Sequence, residues 1–572
     1  MDSPQANRPR RIAVVGGGIS GLAAAHELTR QARADQRPLE VLLIEASPRL
    51  GGTVRTHTRD NFLLEGGPDA FISEKPEALE LAHQLGLESR LLETNAAHRR
   101  SFIVRGGRLR PVPEGFHLLA PSRFRPFVST DIFTWAGKAR MALDLLLPRR
   151  AAARAVGETV DGSDDPGGDD ESLAAFVRRR FGREALERMA QPMVGGIYTA
   201  DPEQLSLRAT MPRFLDMERK DRSIILAMWR ARRRAATDTR GTSGARYSLF
   251  LSFDGGMQTL TDALAAALPR GTARTGTSVE AIDFNHETRR WNLRVRASET
   301  NNNAAGGHDT AGMDEAARDG ERMTGCPGAW RAAGGDGAWR DAGVDAAGRA
   351  AGGDGARVEG NDARVAGRDG ARAVGEIIAV DGLCLALPAY ASARLLGGID
   401  SELAAELEGI PYASTATVNL AFRRADIPHA LDGFGFVVPF VERRRTLACT
   451  FSSVKFAGRA PAGHALLRAF VGGALQPEMY ALDEAEMLAS VRADLRALLG
   501  IERAPLFAHV ERWPRSMAQY HLGHLARVAR IRRRLQRFPT LQLAGNAYGG
   551  AGIPDCIRSG RAAAKEILEE KR

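Results

Sequence analysis

Apolar and polar positions along this chain follow two different periods, and the places where the period changes outline its organisation. The apolar run IAVV at 12–15 ends in GGGISG and gives way to LAAAHEL, which predicts a strand, a tight turn and a helix; VLLI at 41–44 predicts a second buried strand. SFIVRGGRLRPVP (101–113) predicts a hairpin turning at Gly106 and Gly107. From about 116 to 235 the rhythm is helical, through DIFTWAGKARMALDLLL, SLAAFVRRRFGREALERMAQPMV and SIILAMWRARRR. SVEAIDF and WNLRVRA then predict two strands joined by NHETRR, and GEIIAVDGLCLALP (375–388) is their natural continuation. Beyond 391, STATVNLAF, GFGFVVP, TLACTFSS and ALLRAFVGG alternate like antiparallel strands whose sheet floors a cavity, and DEAEMLASVRADLRALLG predicts a helix.

Two stretches break this order. ETVDGSDDPGGDDES (158–172) is an acidic, Gly- and Pro-rich surface loop inside the helical block. Between WNLRVRA and GEIIAVDG lie about 75 residues of low complexity, with the near-repeats GGDGAWRDA, GGDGARVEG and GRDGARAVG. Glycine, alanine and balanced charge without apolar periodicity cannot bury enough surface to offset ordering entropy, so 300–374 is expected to be a disordered expansion of one hairpin loop. The repeats lack the regular spacing and dense Asp ligands of a calcium-binding array.

The first turn carries chemistry. Gly16, Gly18 and Gly21 form G-x-G-x-x-G directly after a strand and opening a helix, and Glu45 closes the second strand. Gly16 permits the tight turn, Gly18 lets backbone approach a pyrophosphate, and Gly21 lets helix and strand pack closely. Glu45 can accept both ribose hydroxyls, and the helix N-terminus favours the diphosphate. This is a dinucleotide site. EASPRLGGTVRT (45–56) follows, where Arg49 can neutralise phosphate and Gly51-Gly52 let the chain pass close to a flavin. At the far end, LQLAGNAYGGAGIPDCIRSGRAA (541–563) is a strand, a Gly-rich loop and a helix starting near Ile553-Pro554-Asp555, whose free NH groups suit the electron-rich edge of a flavin.

GNAYGGAGIPDCI, together with PMVGGIYTADPEQLS (192–206), SFDGGMQTLTDAL (252–264) and GFGFVVP (433–439), closely resembles the signatures of the FAD-containing amine oxidase and protoporphyrinogen oxidase superfamily, in family order. The resemblance is to the oxygen-dependent, bacterial type of protoporphyrinogen oxidase and covers the chain apart from the two interruptions. It implies an α/β plus α+β architecture: a Rossmann-like FAD-binding domain (1–100, 251–390 and 535–572), an antiparallel-sheet substrate domain (parts of 101–250, and 391–534) and a helical membrane-associating lobe. It implies non-covalent FAD held by Gly16, Gly18, Ile19, Ser20, Gly21, Glu45, Ala46, Arg49, Gly51, Gly52, Thr53, Val279, Asn546, Gly552, Ile553 and Pro554. It also implies a porphyrinogen substrate, with Gly196 offering its carbonyl to the pyrroles and Phe434 packing on the macrocycle. Plant members anchor a propionate with an arginine where this chain has Ser101, so Arg99 or Arg100 is the candidate anchor. The implied reaction is protoporphyrinogen IX oxidation to protoporphyrin IX with O2 as acceptor, giving H2O2. Coproporphyrinogen III oxidation is the nearer alternative and an amine oxidase-like activity a further one. No protein residue is expected to act as a catalytic acid, base or nucleophile, because the flavin performs the hydride abstraction.

Composition changes this picture little. The 572 residues are 44% hydrophobic and can bury a large core in two or three domains. Cys326, Cys384, Cys449 and Cys556 have no C-x-x-C spacing, and the histidines show no metal spacing, so no disulfide framework or metal site is expected. With no secretory h-region and no apolar run near 18 residues, a cytoplasmic enzyme is expected. The net charge of +10 gathers at Arg230–Arg234 and Arg527–Arg534. Without aromatic interleaving these clusters read as solvated helix faces or as attraction to an anionic membrane, not as a nucleic-acid surface. A homodimer stays open.

Overall fold

In the computed structural model the described residues are 8–36, 38–117, 120–149, 170–238, 249–298 and 376–569. The low-complexity segment 300–374 and most of the acidic loop (158–169) lie outside them, so neither expectation is addressed.

The organising element is a five-stranded parallel sheet, in the order 273–274, Leu39–Ile44, Arg10–Val15, Gly382–Leu385, Leu541–Leu543. Numbered along the chain this is third, second, first, fourth, fifth, a doubly wound order with a crevice at the carboxyl ends of the first and fourth strands. Both faces are covered, which is why the strands read as continuous apolar runs. Ile12, Val14, Leu43 and Cys384 pack beneath the helices Ile19–Ala34 and Ile553–Glu569. Ala13, Val15, Ile44 and Leu385 face the opposite way, toward the core that holds Trp291, Leu293, Val295 and Ile378. These last four belong to a three-stranded antiparallel sheet, Thr277–Asn285, Arg290–Ala297 and Glu376–Val380. Its centre is the fully buried Trp291, whose Nε1 donates to Thr540 Oγ1 at 2.9 Å.

The second sheet has seven strands, in the order Phe507–Ala518, Tyr412–Arg423, His464–Gly472, Ala448–Phe451, Gly435–Val437, Phe102–Arg105, Arg108–Pro111. The expected hairpin at 101–113 is its far edge. The sheet is mixed, not purely antiparallel: Gly435–Val437 runs parallel to Phe102–Arg105. That register joins strands from distant parts of the chain, which alternation of side chains cannot reveal. Ala416, Val418, Leu420 and Phe422 turn one face onto the Glu484–Leu499 helix. Thr417 and Asn419 turn the other toward the Glu65–Gly66 backbone, which accepts a hydrogen bond from each.

Among the described residues between 116 and 238 the regular elements are helices apart from two short strands, Phe116–His117 and Ala120–Pro121. The centre of this block is charged. Arg180, wholly buried, donates from Nε to Asp144 Oδ1 at 2.7 Å and to the carbonyls of Pro148 and Arg222. Asp144 accepts further from Ser223 Oγ and Ile225 N. Such a pair holds its desolvation cost only because every donor and acceptor is met. The basic run 527–534 is partly partnered: Arg527 and Arg530 grip Glu406, and Arg534 grips Asp400 and Glu402. These three arginines dock their helix onto Ser401–Glu408, while Arg532 and Arg533 on the same helix are exposed.

Candidate functional site

The crevice begins at the first turn. Gly16 has φ +105°, and a Cβ on Gly21 would lie 1.8 Å from the Gly16 carbonyl oxygen, so both positions require glycine. A Cβ on Gly52 would lie 3.0 Å from Gly18 Cα, so two bare backbone segments face each other across the turn. The helix that starts at Ile19 and Ser20 has no side-chain cap and no acid in its first turn. An uncapped helix end beside two opposed glycines fits a diphosphate. Glu45 leaves the end of its strand with Oε2 accepting from Gly17 N at 2.5 Å and Oε1 from Ser47 N at 2.8 Å, which fixes the carboxylate at the crevice mouth. Thr277 N donates to Glu45 O, bringing the Val279 strand to the same place. Ala46 is exposed beside it. Arg49 differs from expectation: its two terminal nitrogens donate to the carbonyls of Leu50, Gly52 and Val54, so it shapes the Gly51–Thr53 loop.

The other end of the crevice is the loop from Gly545 to Gly552, leading into the Ile553–Glu569 helix. Tyr520, which the sequence reading passed over, holds this loop: its hydroxyl donates to Asn546 O and accepts from Gly550 N at 2.8 Å. Asn546 Nδ2 in turn donates to Ser516 O. His524 stacks on Tyr520 with ring centroids 4.2 Å apart. Asp555, in the first turn after Ile553 and Pro554, is buried and takes Lys75 Nζ at 2.5 Å. The only local signals for Tyr520 and His524 were their place in ERWPRSMAQYHLGH, before and at the start of a helix.

Between these ends lies Glu65–Asp69. Gly66 O accepts from Thr417 Oγ1 at 2.9 Å and Trp513 Nε1 at 2.8 Å, and Gly67 O accepts from Arg468. Beneath this loop the structure gathers buried charge that sequence spacing did not show. Burial pushes the Glu65 carboxyl up, while Lys455 and Arg468 outweigh burial and hold Asp69 down. Arg468 Nε and Asn419 Oδ1 are buried without a protein partner among the described residues.

Gly196 sits exposed near the end of the Gln191–Tyr198 helix, where a Cβ would meet only Val437, at 3.8 Å. The helix end is tied to two segments that leave the seven-stranded sheet, since Gln519 Nε2 donates to Tyr198 O and Ala474 N to Thr199 O. Phe434 is half-buried two residues into GFGFVVP, and its N donates to Arg100 O at 2.8 Å. Arg100 and Phe434 are therefore neighbours. However, the Arg100 guanidinium is engaged by Asp432, through its carbonyl at 2.7 Å and its carboxylate at 2.6 Å, and Arg99 lies 4.0 Å from Glu93. A substrate carboxylate would have to compete for either.

Two predictions come from this geometry. Glu45→Gln removes charge from the two ribose hydrogen bonds it is placed to make, weakening FAD by about 2–4 kcal/mol. The variant should purify partly as apoprotein and recover colour with added FAD. Unchanged flavin content after dialysis would remove Glu45 from the site. The second concerns pH. Burial, with Arg527 adding to it, lowers His524 from 6.5 to about 4. A histidine buried neutral leaves stability intact above about 6.5 and removes it as pH falls toward 4, by about 3 kcal/mol. Urea midpoints should fall and FAD should leak over that window, and His524→Phe should flatten both. Parallel slopes for the two proteins would show that another group carries the dependence.

The model for flavin containing amine oxidoreductases matches residues 19–305 and 353–568, pausing only inside the low-complexity segment. The chain is 30% identical to a Bacillus subtilis protein named coproporphyrinogen III oxidase, covering 98% of both chains. It is 33% identical to a Propionibacterium freudenreichii protein of the same name, covering 98% of this chain and 90% of that one. The chloroplastic/mitochondrial protoporphyrinogen oxidase 2 of Arabidopsis thaliana is 24% identical, over 98% of this chain and 94% of its own. A candidate protoporphyrinogen oxidase from Exiguobacterium superposes with a TM-score of 0.71 at 26% identity, covering 98% and 100% of the two chains. With the crevice, the glycine cradle and both cofactor-facing loops in place, the chain belongs to the flavin containing amine oxidoreductase family and is an FAD-dependent oxidoreductase of its porphyrinogen-oxidising branch.

Proposed function

We propose that this enzyme oxidises coproporphyrinogen III to coproporphyrin III, six electrons in three steps, each passing two electrons to O2 and yielding H2O2. Protoporphyrinogen IX, expected from the sequence motifs, is the second reading. The observation that supports a porphyrinogen is the bare helix end at Gly195–Gly196–Ile197, an exposed apolar edge beside Val437 that a flat macrocycle can approach closely. The choice between substrates leans on the two relatives at 30% and 33% identity, both named for coproporphyrinogen III.

Bound flavin supplies the acceptor for hydride from a methylene bridge of the substrate and the route of those electrons to oxygen. The chain's own part is positioning. Gly18 and Gly52 leave room for the diphosphate, Glu45 orients the ribose, and Tyr520 fixes the Asn546–Gly550 loop at the other end. Gly196 admits the macrocycle, Phe434 packs against its face, and Arg99 and Arg100 attract its propionates. FAD is held without a covalent bond: Cys556 is buried against Ser20, and burial pushes its thiol up to about 11, which removes the thiolate needed for attachment.

The helical lobe rests on an anionic membrane surface. No helix among the described residues is long and apolar enough to cross one. Phe124, Trp135 and Leu146 are 79%, 72% and 73% exposed, with Leu143 and Leu145 beside Leu146 and the exposed Arg123 and Arg125 flanking Phe124. Apolar rings and aliphatic side chains among cations suit the interface, where each basic residue contributes about 1 kcal/mol.

Purified holoenzyme given each porphyrinogen in air should produce fluorescent porphyrin with both, with the larger kcat/KM for coproporphyrinogen III. A larger value for protoporphyrinogen IX would reverse the assignment, and no turnover of either would remove it. On anionic liposomes at low salt the enzyme should float, and the triple substitution Phe124→Ser, Trp135→Ser, Leu146→Ser should reduce binding at least tenfold, since each side chain is worth about 1.5–3 kcal/mol when buried. Equal flotation of both proteins would leave the lobe as a cap on the substrate domain.

A further inference from the structure

His57, His509 and Glu511 converge outside the crevice. His509 and Glu511 are two residues apart on the edge strand Phe507–Ala518, so the period of two sends them to one face. His57 comes from the Thr56–Arg59 strand, paired in a hairpin with Phe62–Glu65. The hairpin lies against the edge strand: the His57 and His509 rings are 4.5 Å apart, and the Arg59 guanidinium stands 4.5 Å from the Phe507 ring centroid.

Both imidazoles aim Nε2 at one carboxylate oxygen, Glu511 Oε2, at 3.0 Å from His57 and 3.2 Å from His509. The other oxygen, Oε1, is held by Arg55 Nη1 at 3.1 Å. The ligand atoms of the three side chains lie within 4.8 Å of one another. Donors bound to zinc at about 2.1 Å in a tetrahedron are separated by about 3.4 Å, so the two nitrogen–oxygen distances of 3.0 and 3.2 Å need widen by only a few tenths of an ångström. Side-chain exposures of 25%, 32% and 12% for His57, His509 and Glu511 leave an entry path and room for a water as fourth ligand. Arg55 fixes the carboxylate from behind, as an outer partner does in metal sites.

We propose that His57, His509 and Glu511 form a divalent transition-metal site, filled by Zn2+ with water as fourth ligand, that clips the Thr56–Glu65 hairpin to the edge of the substrate sheet. Two imidazoles and one carboxylate select zinc and its first-row neighbours over Mg2+ or Ca2+. The clip bears on the crevice through Glu511, since a Cβ on the adjacent Gly66 would lie 3.2 Å from Glu511 Cγ, and Gly66 belongs to the loop held by Thr417 and Trp513.

The test uses holoenzyme stripped with EDTA and titrated with Zn2+ against a chromophoric chelator. One tight equivalent and a raised Tm are expected, with Co2+ in place of Zn2+ giving visible d–d bands. The double variant His57→Ala, His509→Ala should lose that equivalent, the Tm rise and the Co2+ bands while keeping its flavin absorbance. His57→Asn, His509→Asn, which retains polar contact with Glu511, decides the matter in the same way if the alanine variant does not fold. Failure of the wild-type protein to bind, or binding undiminished in the folded variant, would show that the three groups form a hydrogen-bonded cluster only.

Discussion

The fold depends on backbone brought against backbone at two glycine contacts. Gly21 carries the first helix against the strand that precedes it, and a Cβ on Gly560 would lie 2.1 Å from the carbonyl oxygen of Ser20, so the last helix lies equally close to the first. These contacts join the two ends of the chain around one parallel sheet. They place the Gly16–Gly18 turn, Glu45 and the Gly545–Gly552 loop around a single crevice. A side chain at Gly21 would push the first helix off the Gly16 turn, and one at Gly560 would push the last helix off the first.

The crevice is held open by groups that bond to its walls. Glu45 is oriented by two amides, Arg49 is occupied by three carbonyls of its own loop, and Tyr520 bridges Asn546 and Gly550. This is preorganisation: polar groups are fixed before a ligand arrives, so less ordering is left for binding to offset. The buried charges beneath Glu65–Asp69 extend it, because Thr417, Asn419, Trp513 and Arg468 from the substrate sheet all donate to that loop. The loop that follows the Thr56–Glu65 hairpin is thereby fastened to the seven-stranded sheet.

Many arginines in this chain act as fasteners. Arg180 binds the interior of the helical lobe, Arg527, Arg530 and Arg534 bind one helix to another, and Arg558 joins Glu77 to Asp555. Arginine suits this work because its planar fork reaches several acceptors at once and keeps its charge. The excess of +10 therefore says less about external partners than the number alone suggests.

The cofactor half of the protein was legible in the sequence, because its determinants are local. Gly16, Gly18, Gly21 and Glu45 are read from one strand–helix–strand unit, and the start of the last helix at Ile553 follows from one Gly-rich loop. Strand and helix periods likewise located the hairpin at 101–113 and the strands at 277–297. What depends on distant residues was not legible. The parallel pairing of Gly435–Val437 with Phe102–Arg105, the Arg100–Asp432 pair, the hold of Tyr520 on the flavin loop and the meeting of His57 with His509 and Glu511 are contacts between side chains or strands far apart in sequence. Local periodicity records which face a residue occupies. Only the packing of whole elements decides what stands opposite that face, because that choice is made by the shape of the core.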